Sequence, residues 1–221
     1  MQQALSYIGS VIATLSGGLG QTLLLFALTI LISLPLGLLV SLGRMSRFAA
    51  VRIPIKLYIS IMRGTPLMLQ LLFVYFGPFY IFGPQFTYGR FTAAVIAFGL
   101  NYAAYFAEIY RGGIQSMPRG QYEASAVLGF TRSQTFFRII LPQVIKNILP
   151  ATTNEVITLV KDTSLAQVIA VVELFRVAET TSSAQASVYP LIIAGVFYYI
   201  MNYVVAWIME RAEKSLSYYS A

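Results

Sequence analysis

Two sets of polar side chains stand in otherwise apolar parts of the chain, and each set recurs at helical spacing. The first set is Asn101, Tyr105 and Glu108, and the second is Glu155, Thr158 and Asp162. Steps of three and four residues place side chains on one face of an α-helix. The second set covers two turns, roughly 10 Å along the helix axis. Carboxylates in that arrangement could bind a cation of about this length.

The residue types exclude several other kinds of chemistry. The chain contains no cysteine and no histidine. A disulfide framework, a thiol nucleophile, a Ser-His-Asp arrangement and every metal motif built on Cys or His are therefore excluded. The formal net charge of +7 could suggest a nucleic-acid partner. Basic loops on one face of a membrane protein explain the same charge, and no nucleic-acid partner is expected.

Composition predicts an all-α membrane protein. The 221 residues are 57% hydrophobic and 10% charged, with a mean hydropathy of +0.72. A soluble domain usually carries about 25% charged residues.

Because a helix needs roughly 20 apolar residues to cross the bilayer, we predict five spans in one domain covering residues 1–221. They are residues 19–42, 53–82, 91–110, 144–160 and 189–209, of which the second is interrupted by Arg63, Gly64 and Pro66. Residues 161–187 are interpreted as a loop with short helices.

Basic residues predict the direction of these spans. They cluster after the first span, between the third and fourth spans, and after the fifth, as Arg44, Arg47, Arg52, Lys56, Arg119, Arg132, Arg138, Lys146, Arg211 and Lys214. The N-terminal tail before the first span has none. The positive-inside rule therefore predicts a multi-pass protein whose basic loops lie in the cytoplasm. Its N-terminus lies outside the cytoplasm and its C-terminus inside.

The loop at about residues 117–142 predicts two helices that meet at a glycine. A helical pattern ends at Leu128, and Gly129 can terminate it in a left-handed conformation. Thr131 can cap a second helix, which is expected to stop at Pro142. Phe130, Phe136 and Phe137 are large apolar groups in this cytoplasmic loop. Such side chains either pack beneath the loop or insert into a partner's pocket.

The spacing in this loop resembles the EAA loop of permease subunits of type I ABC importers. The matching positions are Glu123, Ala124, Ser125, Gly129, Ile139, Leu141 and Pro142, with serine where the family usually has alanine. Further segments are similar to the polar-amino-acid branch of that family: residues 63–66 (RGTP), 107–113 (AEIYRGG) and 161–165 (KDTSL). Nearly the whole chain is covered by the resemblance.

The resemblance implies an assembly and a role for the loop. We expect a dimer of permease subunits in the lipid bilayer of the bacterial cytoplasmic (inner) membrane, as a homodimer or heterodimer, with two cytoplasmic ATPase subunits and an extracytoplasmic amino-acid-binding protein. The partner ATPase would use ATP and Mg²⁺, and this chain would bind no cofactor, because it has no G-x-x-x-x-G-K-[ST] motif and is not expected to be an enzyme. Coupling to the ATPase would involve Glu123, Ala124, Ser125, Gly129, Phe136, Phe137, Leu141 and Pro142.

The polar stripes would then bind the transported amino acid during alternating access. Glu155 or Asp162 could bind its ammonium group, and backbone N–H groups or Lys161 could bind its carboxylate. A second carboxylate would suit a basic side chain. Each residue also has a structural alternative: Glu108 could pair with Arg111, Asp162 could cap the segment that starts at Thr163, and Lys161 could extend to the interface. Asn101, Tyr105 and Thr158 complete the candidate substrate site.

Two other classes of protein remain open from the sequence. An ion- or proton-coupled carrier could use the same stripes, but it would give no reason for the EAA spacing, and five spans leave no room for two inverted repeats. An intramembrane enzyme would need a pair such as Ser164 and Lys161, which lie three residues apart.

Overall fold

The computed structural model describes residues 2–216, and side chains from residue 6 to residue 215. Along the chain lie α1 (Gln2–Arg44), α2 (Ala49–Gly64), α3 (Leu67–Phe82), α4 (Arg90–Gln115), α5 (Arg119–Val127), α6 (Arg132–Gln134), a π-helix (Thr135–Ile140), α7 (Leu141–Asp162), a 3₁₀-helix (Thr163–Ile169), α8 (Leu174–Gln185) and α9 (Tyr189–Leu216). Within these residues there is no β-strand, which confirms the all-α class.

The length and hydropathy of the helices support part of the predicted number of membrane spans. The helices α1, α4 and α9 are each long and apolar enough to cross a membrane, and α2 with α3 passes the same test as a pair. Within the described residues α7 does not pass, because Lys146, Glu155, Lys161 and Asp162 lower its hydropathy. The membrane-spanning fold is thus clear, while the count of five spans stays a prediction.

The second predicted span is not one continuous helix. The axes of α2 and α3 form an angle of 112°. Thr65 is extended, at φ −121° and ψ 149°, as residues before a proline usually are. The side chain of Gln70 bonds to backbone carbonyl groups at this break. Its Nε2 donates to the carbonyl oxygens of Met62 at 2.9 Å and Thr65 at 3.1 Å. We call this bend the elbow.

The helices α1 and α4 form the centre of the bundle. At 43 residues, α1 is about 65 Å long, far more than the predicted residues 19–42. Gly37 permits close approach, because a Cβ there would lie 2.8 Å from Phe106 Cβ. The largest buried cluster surrounds Phe98, Tyr102 and Phe106 of α4.

The segment before α8 is fixed by a fully buried acid. The Glu173 carboxylate accepts from the backbone N–H groups of Phe175 at 2.7 Å and Arg176 at 2.6 Å, and from the Tyr198 hydroxyl at 3.0 Å. Glu173 therefore caps α8 and ties it to α9. Residues 163–185 hold the short helices that the sequence predicted for this loop.

The two ends of the bundle can be told apart by their contacts. At one end, Arg44 lies 3.7 Å from Glu108 in the second half of α4, and Glu213 lines a cavity with Lys146. At the other end, the Tyr7 hydroxyl donates to Gln185 at 2.7 Å. We call the first of these the loop end. The described N-terminal residues and Glu213 therefore lie at opposite ends, which agrees with an odd number of crossings.

Candidate functional site

The structure brings the stripe on α7 against α4. The Tyr102 hydroxyl donates a hydrogen bond of 2.8 Å to Asp162 Oδ2. Tyr102 is buried, whereas Asp162 and Glu155 are half-buried. The prediction that Asp162 caps the next segment is wrong. The chain runs from α7 into the 3₁₀-helix without a break, the Thr163 N–H bonds to the Leu159 and Lys161 carbonyls, and the Asp162 side chain makes no capping hydrogen bond.

A cation from the elbow completes this site. The Arg63 guanidinium lies over the Tyr105 ring, 5.2 Å from its centroid, in a cation–π contact. Glu155 lies within electrostatic range of both Arg63 and Asp162. We call Arg63, Tyr102, Tyr105, Glu155 and Asp162 the polar site. It presents two carboxylates and one guanidinium, the charges that complement a zwitterion with an additional positive group.

Asn101, one turn before Tyr105 on α4, forms hydrogen bonds within the protein. Asn101 is buried, and its Nδ2 donates to Gln70 Oε1 at 2.9 Å and to the Met62 carbonyl at 3.1 Å. The side chain thereby ties α4 to the elbow and fixes the position from which Arg63 extends. Direct contact of Asn101 with a substrate stays a prediction.

Glu108 takes part in the ion pair that the sequence offered as its alternative role. Its carboxylate accepts from Arg111 Nη2 at 2.6 Å and from Arg111 Nε at 3.0 Å, and Arg44 Nε lies 3.7 Å away. The cations of Arg111 and Arg44 thus hold the Glu108 carboxylate at the loop end. The pairing confirms the alternative role, and a substrate contact by Glu108 stays a prediction.

Lys161 and Thr158 lie at the margin of the polar site. Thr158 is half-buried one turn beyond Glu155, and Lys161 is exposed and lines a separate cavity with Phe175 and Tyr198. The Ser164 hydroxyl donates to the Lys161 carbonyl oxygen at 2.7 Å. Because that hydroxyl is bonded to backbone, the structure offers no Ser/Lys nucleophile pair at these two positions.

The loop forms the helical corner that its sequence predicts. Gly129 has φ +79°, the left-handed region that favours glycine. Its N–H bonds to the Ala126 carbonyl at 3.0 Å, and the N–H of Phe130 bonds to the Ser125 carbonyl at 3.0 Å. These two bonds form a Schellman cap. Thr131 then begins the next helix in a capping box with Gln134, as predicted.

The second helix of the corner does not stop at Pro142. The chain continues from α6 through the π-helix into α7, with Pro142 in the first turn of α7. Pro142 lacks an N–H and cannot continue the pairing of the π-helix, so it lies where that pairing gives way to α7. In the π-helix the Leu141 N–H bonds to the Phe136 carbonyl, five residues back. The sequence pattern gave no sign of this wider turn.

The apolar side chains of the corner divide into packed and exposed groups. Phe136 packs on Met117, Ile140 and Val144. Val127, Leu128 and Phe137 are 88%, 74% and 62% exposed. We call these last three residues the exposed apolar patch. Val127 and Leu128 were missed by the sequence analysis, although two apolar residues directly before a helix-terminating glycine could have suggested them.

The motif residues before Gly129 point in different directions. Glu123 and Ala124 are exposed, whereas Ser125 is buried and its hydroxyl donates to the Gln121 carbonyl at 2.6 Å. A small residue at position 125 is thus required by packing inside the corner.

Comparisons with known proteins agree with this geometry. Residues 33–218 match the family described as "Binding-protein-dependent transport system inner membrane component". The L-cystine transport system permease TcyB of Bacillus subtilis is 39% identical over 211 residues, covering 94% of this chain and 88% of that protein. The arginine transport system permease ArtQ of the same organism is 40% identical over 200 residues, covering 90% of each.

Solved structures agree as well. The crystal structure of an amino acid ABC transporter with histidines matches with a TM-score of 0.86 and 35% identity, covering 96% of this chain and 97% of that one. An inward-facing structure of the MetNI methionine ABC transporter matches in fold, with a TM-score of 0.74 and 20% identity. The fold, the helical corner and the extent of these matches show that the chain belongs to the family of binding-protein-dependent transport system inner membrane components, the permease subunits of ABC importers.

Proposed function

We propose that this chain forms half of the pathway by which an ATP-driven importer moves a basic amino acid into the cytoplasm. The observation that carries the proposal is the polar site, where Glu155 lies within electrostatic range of both Asp162 and the guanidinium of Arg63. A basic amino acid has two positive groups and one carboxylate. The two carboxylates of α7 would bind the positive groups, and Arg63 would bind the substrate's carboxylate by charge-assisted hydrogen bonds.

The names of the relatives are compatible with this substrate class and do not decide it. ArtQ is an arginine permease and TcyB an L-cystine permease, and their identities to this chain are nearly equal. Charge complementarity at the polar site favours the basic amino acid. Arginine, with a planar guanidinium, is the first substrate to test.

We place the loop end in the cytoplasm, with the N-terminus outside. Basic residues concentrate at that end, in accordance with the positive-inside rule. The exposed apolar patch at the corner would contact a cytoplasmic ATPase subunit, which would bind and hydrolyse ATP with Mg²⁺. A second permease subunit, identical or related, and an extracytoplasmic binding protein would complete the importer.

The test is uptake by the reconstituted importer with its ATPase and binding protein. Glu155→Gln keeps the side-chain shape and removes the charge, and losing one partner of a buried charge pair costs about 2–5 kcal/mol. Arginine uptake should fall at least about tenfold, because 1.4 kcal/mol already corresponds to that factor. ATP hydrolysis without substrate should persist, since the corner is unchanged. Full arginine uptake by Glu155→Gln would reject this site, and failure of the wild type to take up any basic amino acid would reject the substrate class.

A further inference from the structure

A pocket adjoins the polar site on its loop-end side, where the two share Arg63. It lies between the last turn of α1, the elbow-side half of α2 and the loop-end half of α4, and it has a volume of about 350 Å³. Arg63 lines this pocket and also contacts Tyr105 in the polar site. Arg44, in the last turn of α1, lines its far side. We call it the mouth pocket, because it lies between the polar site and the loop end.

The mouth pocket carries the opposite charge to the polar site. Arg44, Lys56 and Arg63 line it together with one carboxylate, that of Glu108. Glu108 also pairs with Arg111, at 2.6 Å. Three cations and one carboxylate give the pocket lining a formal charge of +2, whereas Arg63, Glu155 and Asp162 give the polar site a formal charge of −1. The sign of the charge changes from negative to positive along the route from the polar site to the loop end.

The position of Lys56 sets the size of its electrostatic effect. Lys56 is exposed and lies seven residues before Arg63 on α2, about 10 Å along the axis. The pocket has room for roughly ten water molecules, so the charges act through water. At 10 Å in water, reversing one unit charge changes a binding constant for a monovalent ion about threefold at low salt.

We propose that the mouth pocket lowers the affinity of the polar site for a basic amino acid when that site is open to the cytoplasm. Arg44 and Lys56, the pocket's cations that lie outside the polar site, repel a substrate that carries a net positive charge, both while the substrate is bound and while it approaches from the loop end. Inhibition of the importer by the amino acid that it has accumulated is thereby weakened. The inference rests on the proposed function for the charge of the substrate and for the side on which the loop end lies.

The experiment uses the complete importer in proteoliposomes, with the binding protein outside and ATP inside. The lumen is loaded with unlabelled arginine over a range of concentrations, and the initial uptake of labelled arginine is measured at low ionic strength. Each variant is compared with its own uptake at zero lumenal arginine, so that differences in folding or insertion do not affect the result. For Lys56→Glu, the lumenal arginine concentration that halves uptake should fall about threefold relative to the wild type, with a smaller fall for Lys56→Gln.

Three controls separate charge in the pocket from other causes. Arg211→Glu makes the same change in net charge on the exposed face of α9, outside the pocket, and should leave the half-inhibitory concentration unchanged. Lumenal citrulline, a neutral analogue of arginine, should inhibit the wild type and Lys56→Glu equally. At 1 M salt, where the screening length is about 3 Å, the difference between the two chains should disappear.

Equal half-inhibitory arginine concentrations in the wild type and Lys56→Glu would overturn the proposal. It would also be overturned if Lys56→Glu lowered the half-inhibitory concentration of citrulline as much as that of arginine, or if lumenal arginine inhibited neither chain. These results differ from a failure of the proposed function, in which the wild type itself would take up no arginine.

Discussion

The Tyr102 hydroxyl donates to Asp162 at 2.8 Å, which joins the middle of α4 to the last residue of α7. The bond and the charge of Asp162 can be removed separately. Asp162→Asn keeps an acceptor for Tyr102 and loses the charge, whereas Tyr102→Phe loses the bond and keeps the charge. Asp162→Asn should lower arginine uptake about tenfold or more and glutamine uptake much less, since only arginine has a cationic side chain.

Tyr102→Phe is the matched comparison. It leaves the carboxylate without its donor and should lower the uptake of both amino acids by a similar, smaller factor. Uptake of labelled arginine and glutamine, normalised to the amount of inserted permease, measures both effects. Equal losses of the two substrates in Asp162→Asn would mean that Asp162 has a structural role only.

Gly129 should be essential for the shape of the corner. A side chain in the left-handed region costs roughly 1–2 kcal/mol, and the Schellman cap depends on that conformation. Gly129→Val should reduce co-purification of the ATPase and abolish uptake, with normal amounts of permease in the membrane. Gly120→Val, in the first turn of α5 where a Cβ meets nothing within 4 Å, should retain both properties. Wild-type uptake by Gly129→Val would show that the corner does not couple the two subunits.

The exposed apolar patch should bind a partner and contribute little to folding. Leu128 is 74% exposed, so Leu128→Asp should weaken binding of the ATPase by at least about tenfold while the melting temperature of the isolated permease stays unchanged. Phe136→Ala removes a packed side chain and should instead lower that melting temperature. The two readouts are co-purification and thermal unfolding in detergent. A stability loss in Leu128→Asp, with ATPase binding retained, would contradict the assignment.

Glu173 should matter more to stability than its neighbour Glu179. Glu173→Ala leaves two N–H groups at the start of α8 and the Tyr198 hydroxyl without their acceptor, which should cost about 1–3 kcal/mol. Glu179 forms a largely exposed ion pair with Arg176 at 3.1 Å, so Glu179→Ala should cost no more than about 1 kcal/mol. Denaturant unfolding of the purified permease measures both values, and similar costs would argue against the capping role.

Cysteine labelling tests the direction of the chain in the membrane, since the sequence has no cysteine of its own. An impermeant thiol reagent on intact cells should label Gln3→Cys and leave Gly120→Cys and Ser217→Cys unlabelled until the cells are opened. Ser217 lies outside the residues that the structure describes. Labelling of Gly120→Cys from outside would reverse the orientation.

The sequence predicted local features more completely than distant ones. The turn at Gly129 and the capping box at Thr131 depend on neighbouring residues, so their residue types were sufficient. The break in the second span was visible at Arg63, Gly64 and Pro66, but Asn101, which ties the elbow to α4, lies 39 residues along the chain from its partner Met62.

In the polar site, too, the sequence predicted the features within one helix and not the contacts between helices. Helical spacing placed Glu155 and Asp162 on one face, and in the structure Asp162 contacts α4 through Tyr102. Periodicity could not show that Tyr102, one residue after the predicted Asn101, would be the hydrogen-bond donor. It also could not show that Arg63 would reach Tyr105, because nothing in a single helix determines the position of another.

The π-helix at Thr135–Ile140 separates the corner from the helix that carries Glu155 and Asp162. Its backbone pairs residues five apart, so the segment accommodates more residues in a turn than an α-helix does. A single-residue deletion there could be absorbed by a return to α-helical pairing, whereas a deletion inside α7 would rotate everything beyond it by about 100°, one residue's share of a 3.6-residue turn. A one-residue deletion in the π-helix, between the corner and the carboxylates, should therefore leave Glu155 and Asp162 directed toward α4.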